Sequence, residues 1–86
     1  MSDKPIRIAC LGEAMVELSN LDAGAGRIDF GVAGDTLNTA IYLKRALGDA
    51  SGVFYLTALG DDAFSDHMLR FMAAEGLDTS RVARLR

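Results

Sequence analysis

The sequence contains few of the residues that build disulfide, zinc and redox sites. It has one cysteine, Cys10, and one histidine, His67. A single cysteine cannot form an internal disulfide, and one histidine does not provide the ligand spacing of a zinc site. We therefore expect Cys10 to be a small buried hydrophobic residue and His67 to lie on the surface, and no metal site is predicted.

Long apolar runs and an excess of positive charge are also absent. No stretch approaches the roughly 18–20 apolar residues of a membrane-spanning helix, and the N-terminus lacks the apolar region of a secretion signal. The formal net charge is −3, so neither nucleic acid nor an anionic membrane is an expected partner. These absences together favour a cytoplasmic protein.

Two common nucleotide-binding loops are missing as well. There is no Walker loop, and the segment CLGEAM has one glycine, Gly12, where a dinucleotide fingerprint needs three. Asp61 and Asp62 follow Gly60 and precede a predicted helix. We interpret Asp61 as the N-cap and Asp62 as a partner of the helix dipole, rather than as a metal or phosphate loop.

The composition is that of a small folded domain. Half of the 86 residues are apolar and 24% are charged, which is a globular rather than a disordered balance. A chain of this length forms one small domain at most, and its core is marginal because so much of its surface stays exposed.

Hydrophobic patterning predicts strands that alternate with helices. Residues 6–11 and 53–59 are almost continuously apolar, which is typical of strands buried on both faces, the second of them central. Residues 27–33 alternate with a period of two, which predicts a strand with one polar face. The segment 19–26 is rich in turn residues and is expected to be flexible. Residues 81–86 resemble the start of another strand.

Two amphipathic helices are predicted. The first follows a Gly-Asp turn and ends before Gly48, and the second covers about 62–75, with Asp66 and Arg70 as a surface ion pair. Apolar residues at helical spacing form the buried stripes: Leu37, Ala40, Ile41, Leu43 and Leu47 in the first helix, and Phe64, Met68, Phe71 and Met72 in the second.

This order of elements predicts an α/β fold with a parallel sheet. A parallel sheet needs helices over both of its faces, and two helices cannot cover both well. The chain is therefore expected to be the first part of a larger α/β domain, and its exposed sheet edges and faces are expected to promote association when it is isolated.

The sharpest candidate for a binding site is the turn Gly34-Asp35-Thr36-Leu37-Asn38. It places a carboxylate, a hydroxyl and an amide beside free backbone N–H groups at a helix start, which suits a polyhydroxylated or anionic ligand. Gly34 allows close approach of a ligand, and Asp35 can accept hydrogen bonds from two sugar hydroxyls. The alternative, that Asp35 only caps the helix, remains open. Gly12-Glu13, at the end of a strand, is a weaker candidate.

Four segments resemble the N-terminal part of the ribokinase-like carbohydrate kinases, and most closely those that act on 2-keto-3-deoxygluconate. They are IACLGEAMVELS at 8–19, FGVAGDTLNTAIYLKR at 30–45, YLTALGDDAFSDHML at 55–69 and EGLDTSRV at 75–82. GDTLNTA at 34–40 is similar to the sugar-recognition turn of the sugar-acid kinases. Ala33 departs from the family pattern, in which a second glycine is common.

The resemblance implies a doubly wound α/β sheet with a small β lid, whose pieces would be residues 13–19 and 27–33. It implies that residues 1–86 are the N-terminal segment of one sugar-kinase domain. Gly34, Asp35, Thr36, Leu37 and Asn38 would bind the substrate, a carboxylated keto sugar, and phosphate would come from ATP with Mg²⁺.

No position here matches the family's catalytic aspartate, anion-hole glycines or nucleotide pocket, so no catalytic residue is predicted in this chain. We expect these 86 residues alone to be inactive. Two alternatives remain: another ribokinase-like kinase that acts on ribose, fructose or a nucleoside, or a non-catalytic module that self-associates through the lid or a sheet edge.

Overall fold

The described chain alternates strands and helices, as predicted for an α/β fold. In the computed structural model, which describes residues 6–86, the elements are β1 (Arg7–Leu11), β2 (Met15–Asp22), β3 (Arg27–Ala33), α1 (Asp35–Leu47), β4 (Gly52–Leu56), β5 (Ala58–Leu59), α2 (Ala63–Ala74) and β6 (Ala83–Arg84). The start of the predicted domain, residues 1–5, lies outside the described residues.

Strand β4 is central among the described strands, as its apolar sequence predicts. It pairs in parallel with β1, in a register that sets Cys10 beside Tyr55. Its other edge exchanges backbone hydrogen bonds with Asp78, and β5 continues along the same side to pair in parallel with β6. The predicted strand 53–59 is therefore correct in place but is interrupted at Thr57.

The core lies on one face of this sheet, beneath both helices. Its buried apolar residues come from β1, α1, β4, β5, α2 and the segment after α2: Cys10, Leu37, Ala40, Ile41, Val53, Tyr55, Leu59, Met68, Met72 and Leu77. Burial of Cys10 confirms its prediction as a small hydrophobic residue. Each large side chain removed from water here contributes about 1.5–3 kcal/mol. None of the helices within residues 6–86 is long and apolar enough to cross a membrane.

The opposite face of the sheet is not covered by a described helix. Arg7, Ala9 and Leu11 point away from the core, and Leu11 is 77% exposed. The prediction that residues 6–11 are buried on both faces is therefore wrong for the described chain. The physical reason is that α1 and α2 both pack on the face that carries Cys10, Val53 and Tyr55.

Strands β2 and β3 form an antiparallel hairpin outside the parallel sheet. The register sets Leu18 opposite Phe30, and it shifts between Ser19 and Asp22. The prediction of a flexible segment over 19–26 is wrong in its first half, because β2 continues to Asp22 and only the following residues turn. The two pieces predicted for the lid thus belong to one hairpin, and its role as a lid stays a prediction.

Helix α2 differs from its prediction in its N-cap and in its ion pair. Its N-cap is Asp62 and not Asp61, because Asp62 accepts a hydrogen bond from the backbone N–H of Ser65 at 2.8 Å. Asp66 pairs with Arg84 at 2.6 Å rather than with Arg70, because β6 places the Arg84 guanidinium beside the start of the helix.

The aromatic end of α2 also differs from its prediction. Phe64 is 55% exposed and contacts Phe30 edge to face, with the ring centroids 5.8 Å apart. His67, expected on the open surface, is half-buried with its ring 5.0 Å from that of Phe30. The hairpin accounts for the partial burial of His67, because Phe30 leans onto this helix from β3.

The cap at Asp62 predicts a pH dependence of stability. The backbone N–H of Ser65, followed by its hydroxyl, lowers the pKa of Asp62 below its ordinary value of 3.8. A lowered pKa in the folded state means that this stabilisation is present above pH 3.8 and is lost as the pH falls through the lowered value. Asp62→Ala is therefore expected to lower the melting temperature at neutral pH, by an amount that shrinks under acid conditions.

Thermal unfolding followed across the acid range measures this effect. Asp61→Ala is the matched control, because Asp61 is the neighbouring carboxylate. Its carboxylate oxygen lies 3.9 Å from the Arg84 guanidinium in a long ion pair. An Asp61→Ala change as large as that of Asp62→Ala, with the same pH dependence, would contradict the assignment of the cap.

Candidate functional site

The predicted turn is shorter than the sequence suggests, because helix α1 already begins at Asp35. Gly34 is the N-cap, and the first bond of the helix runs from the N–H of Asn38 to the carbonyl of Gly34 at 2.9 Å. The N–H groups of Asp35, Thr36 and Leu37 precede this bond, so helix geometry gives them no partner within α1. Together with the dipole they make this end of α1 attractive to electronegative atoms.

The Asp35 side chain does not cap the helix. Among residues 6–86 its carboxylate takes part in no ion pair and no hydrogen bond, and α1 has no side-chain cap at all. Asp35 is exposed, so both carboxylate oxygens are open to an incoming hydroxyl. The capping alternative left open by the sequence is thereby removed.

A cavity of about 320 Å³ lies where the loop after β1 meets the start of α1. Residues from these two segments and the first residue of β2 line it: Gly12, Glu13, Met15, Gly34, Asp35 and Thr36. The structure thus brings the weaker candidate, Gly12-Glu13, against the stronger one. The site also lies beyond the carboxyl end of β1, which is the usual place for a ligand in an open α/β sheet.

Two of the predicted site residues do not line this cavity. The Leu37 side chain is fully buried in the core, so only its backbone can face a ligand. Asn38 is exposed on the first turn of α1. Gly34, Asp35 and Thr36 are the predicted residues that share the cavity wall.

Close backbone packing explains the two glycines better than ligand approach does. A Cβ atom on Gly34 would lie 2.6 Å from the Glu13 carbonyl oxygen, and the residue has a φ of +142°. A Cβ atom on Gly12 would lie 2.5 Å from the Cβ of Thr36. The loop after β1 and the start of α1 are therefore in direct contact, and this contact sets the shape of the cavity.

The charge of the cavity wall is negative. Glu13 and Asp35 both line it, and none of its lining residues is basic. Two anions held close in a poorly hydrated site repel strongly. Hydroxyl groups of a ligand suit this wall, whereas a ligand carboxylate needs a cation supplied from elsewhere.

The described part of the chain has no cluster of metal-ligating side chains. Within residues 6–86 no three or more His, Cys, Asp or Glu side chains are grouped so that they could hold a metal ion.

A family model described as pfkB family carbohydrate kinase matches residues 5–85, almost the whole chain. The chain belongs to the pfkB family of carbohydrate kinases. This assignment agrees with the ribokinase-like resemblance of the sequence.

Relatives of this pfkB-family chain share its sequence over their N-terminal part. The 2-dehydro-3-deoxygluconokinase of Dickeya dadantii is 47% identical over 79 residues, which cover 91% of this chain and 24% of that protein. The chain therefore spans about a quarter of the length of the curated relatives that it matches.

Solved structures show the same fold. The 2-dehydro-3-deoxygluconokinase of Thermotoga maritima matches with a TM-score of 0.78 and 24% identity, over 92% of this chain and 24% of that one. A fructokinase from Xylella fastidiosa, solved with bound ATP, matches with a TM-score of 0.77 and 25% identity, over 94% of this chain and 26% of that one. The described elements are thus part of a ribokinase-like sheet, as predicted.

Sequence reasoning missed one contributor to the site of this pfkB-family chain. Tyr55, in the middle of β4, donates a hydrogen bond from its hydroxyl to the Glu13 carbonyl at 2.8 Å. Burial raises the pKa of Tyr55 above its ordinary value, and the electrostatic influence of the nearby Cys10 and Glu13 adds to the rise. The residues are 42 positions apart, so no local pattern could have linked them.

Proposed function

We propose that this segment is the sugar-binding part of a longer ATP-dependent kinase that phosphorylates a sugar acid, 2-keto-3-deoxygluconate. The observation that carries the proposal is the cavity at the start of α1, where an unpaired Asp35 carboxylate lies beside free backbone amides. The choice of sugar acid rests on the relative from Dickeya dadantii, which is a 2-dehydro-3-deoxygluconokinase.

Each residue at the cavity has a distinct role in this proposal. Asp35 accepts hydrogen bonds from two substrate hydroxyls, and the amides of Asp35 and Thr36 donate to substrate oxygens. Gly34 keeps the two segments close together, Leu37 anchors the helix in the core through its side chain, and Asn38 offers a donor and an acceptor one turn further on. An arginine outside this segment binds the substrate carboxylate, since the wall formed here is anionic.

The rest of the catalytic machinery is assigned to the remainder of the protein. ATP and Mg²⁺ supply the transferred phosphoryl group and its charge neutralisation when bound, and the general base that activates the acceptor hydroxyl also belongs there. The hairpin of β2 and β3 acts as the lid, and the protein works in the cytoplasm.

A substrate panel on the complete protein tests this function. We expect ATP-dependent phosphorylation of 2-keto-3-deoxygluconate, with much lower activity toward ribose, fructose and nucleosides. A preference for one of those three would replace the sugar acid by another kinase substrate. Failure to phosphorylate any sugar by a folded complete protein would favour the non-catalytic module.

The segment of residues 1–86 alone is expected to be inactive and to associate with itself. Leu11 and Leu18 are large exposed hydrophobic residues on the uncovered sheet face and on the hairpin. Sedimentation velocity at several concentrations measures the association, and a coupled ATPase assay with the sugar acid measures turnover. Leu11→Gln should reduce association if the sheet face drives it, and Leu18→Gln should do so if the hairpin does.

Measurable phosphorylation of the sugar acid by the isolated segment would overturn the assignment of the catalytic groups to the remainder of the protein. A stable dimer of one size, together with an inactive complete protein, would instead support the self-associating module.

A further inference from the structure

We infer that Tyr55 is a positioning residue for the sugar site, because its buried hydroxyl fixes the loop after β1 and, through that loop, the start of α1. This inference rests on the proposed function, since it concerns the same cavity. Tyr55 itself lines no part of the cavity, so its effect on a ligand is indirect.

Tyr55 is held firmly by its surroundings. The side chain is fully buried in the core, and its backbone lies in the central strand β4, where its N–H donates to the carbonyl of Asp78 at 3.1 Å. On the other edge of the strand, Tyr55 is in register with Cys10 of β1. A hydroxyl carried by such a ring has a fixed position, which is what a supporting residue needs.

The hydroxyl of Tyr55 meets the loop at one atom, the Glu13 carbonyl oxygen, at 2.8 Å. Glu13 is exposed and lies between β1 and β2, outside any regular element. This hydrogen bond therefore ties a loop residue to the rigid centre of the sheet. A tyrosine hydroxyl is protonated and able to donate throughout the neutral pH range, and burial raises the pKa of Tyr55 further.

The same carbonyl oxygen controls the start of α1. It lies 2.6 Å from the point where a Cβ of Gly34 would be, and Gly34 directly precedes Asp35. One residue earlier, Gly12 is equally close to the Thr36 side chain. Because the two backbone segments pack without room for a Cβ atom between them, we expect a shift of the Glu13 carbonyl to change the cavity wall at Gly34, Asp35 and Thr36 together.

Loss of the hydroxyl is expected to loosen this arrangement without emptying the core. Phenylalanine keeps the ring and its packing, and the carbonyl of an exposed loop residue can accept a hydrogen bond from water instead. The consequence is a less well-defined position of the loop, which weakens binding in the cavity more than it weakens the fold.

The test compares Tyr55→Phe with Val53→Ala in the complete protein. Val53 lies two residues earlier on β4, faces the same core and is buried, so its truncation destabilises the core without touching the loop. Tyr55→Phe should raise the KM for the sugar acid about three- to tenfold, the scale of one lost hydrogen bond, with the KM for ATP unchanged. Val53→Ala should lower the melting temperature and leave both KM values near those of the wild type.

Hydrogen–deuterium exchange gives a second readout that does not depend on activity. Tyr55→Phe should speed exchange in residues 12–15 and 34–38, and Val53→Ala should not do so selectively. Unchanged exchange there, or equal rises in sugar KM for the two variants, would overturn the inference while leaving the proposed function intact. A wild-type protein that phosphorylates no sugar acid would instead overturn the proposed function, and the sugar-positioning role with it, whatever the exchange shows.

Discussion

Replacement of Asp35 by alanine is expected to weaken binding of the sugar acid to the complete protein by about 1.5–3 kcal/mol, roughly 10- to 150-fold in Kd. The physical reason is that hydrogen bonds to a charged group are stronger than those between neutral groups. In addition, the Asp35 carboxylate has no hydrogen-bond partner among residues 6–86, so it is free to bind the ligand. Isothermal titration calorimetry with the sugar acid, without ATP, measures the change directly.

Two further variants test whether the affinity depends on the charge of residue 35 and on its position at the cavity. Asp35→Asn keeps the shape and one acceptor oxygen, so we expect an intermediate loss of affinity. Asp49→Ala removes an exposed carboxylate from the loop after α1 and should leave the affinity unchanged. If Asp35→Ala and Asp49→Ala bind the sugar acid equally well, Asp35 is not a substrate ligand.

Gly34→Ala is expected to lower the free energy of unfolding by about 2–4 kcal/mol, a large effect for one methyl group. Two causes act together, because the residue has a φ of +142° and the added Cβ would lie 2.6 Å from the Glu13 carbonyl oxygen. The neighbour is backbone and cannot rotate away, so the loop or the helix start must move. Urea unfolding of the complete protein measures the loss.

Gly31→Ala is the matched control for this prediction. Gly31 lies three residues earlier in the chain, in β3, but it has no positive φ and nothing within 4 Å of an added Cβ. Alanine there is expected to be neutral or slightly stabilising, since it restricts the unfolded chain. Equal stabilities of the two variants would show that the close approach of Gly34 to Glu13 is not rigid.

Local patterns predicted much of the fold. The stripe of Leu37, Ala40 and Ile41 is buried as its spacing predicts, and Gly48 ends α1 with a φ of +81°. These features depend on interactions between residues that are close in sequence, so periodicity and capping chemistry carry enough information. The pfkB-family assignment likewise confirms the resemblance of the four motif segments.

Two of the errors have a common cause, which is the way that distant elements approach each other. Asp66 pairs with Arg84 because β6 returns past the start of α2, and Phe64 is exposed because the core is reached by Met68 and Met72 instead. Helical spacing alone predicts that the side chains at 64, 68 and 72 are all buried. Only the direction from which the sheet approaches the helix separates them.

The amino-acid sequence by itself determined the alternation of strands and helices, the family, and the choice of the Gly34–Asn38 segment, because each of these depends on short-range pattern. Tertiary structure alone decided that Glu13 and Asp35 line the same cavity, that the Asp35 carboxylate is no cap, and that the Tyr55 hydroxyl binds the Glu13 carbonyl. Those facts depend on the parallel pairing of β1 with β4, which brings segments more than 20 residues apart to one edge of the sheet. A local sequence pattern carries no information about contacts between residues so far apart in the chain.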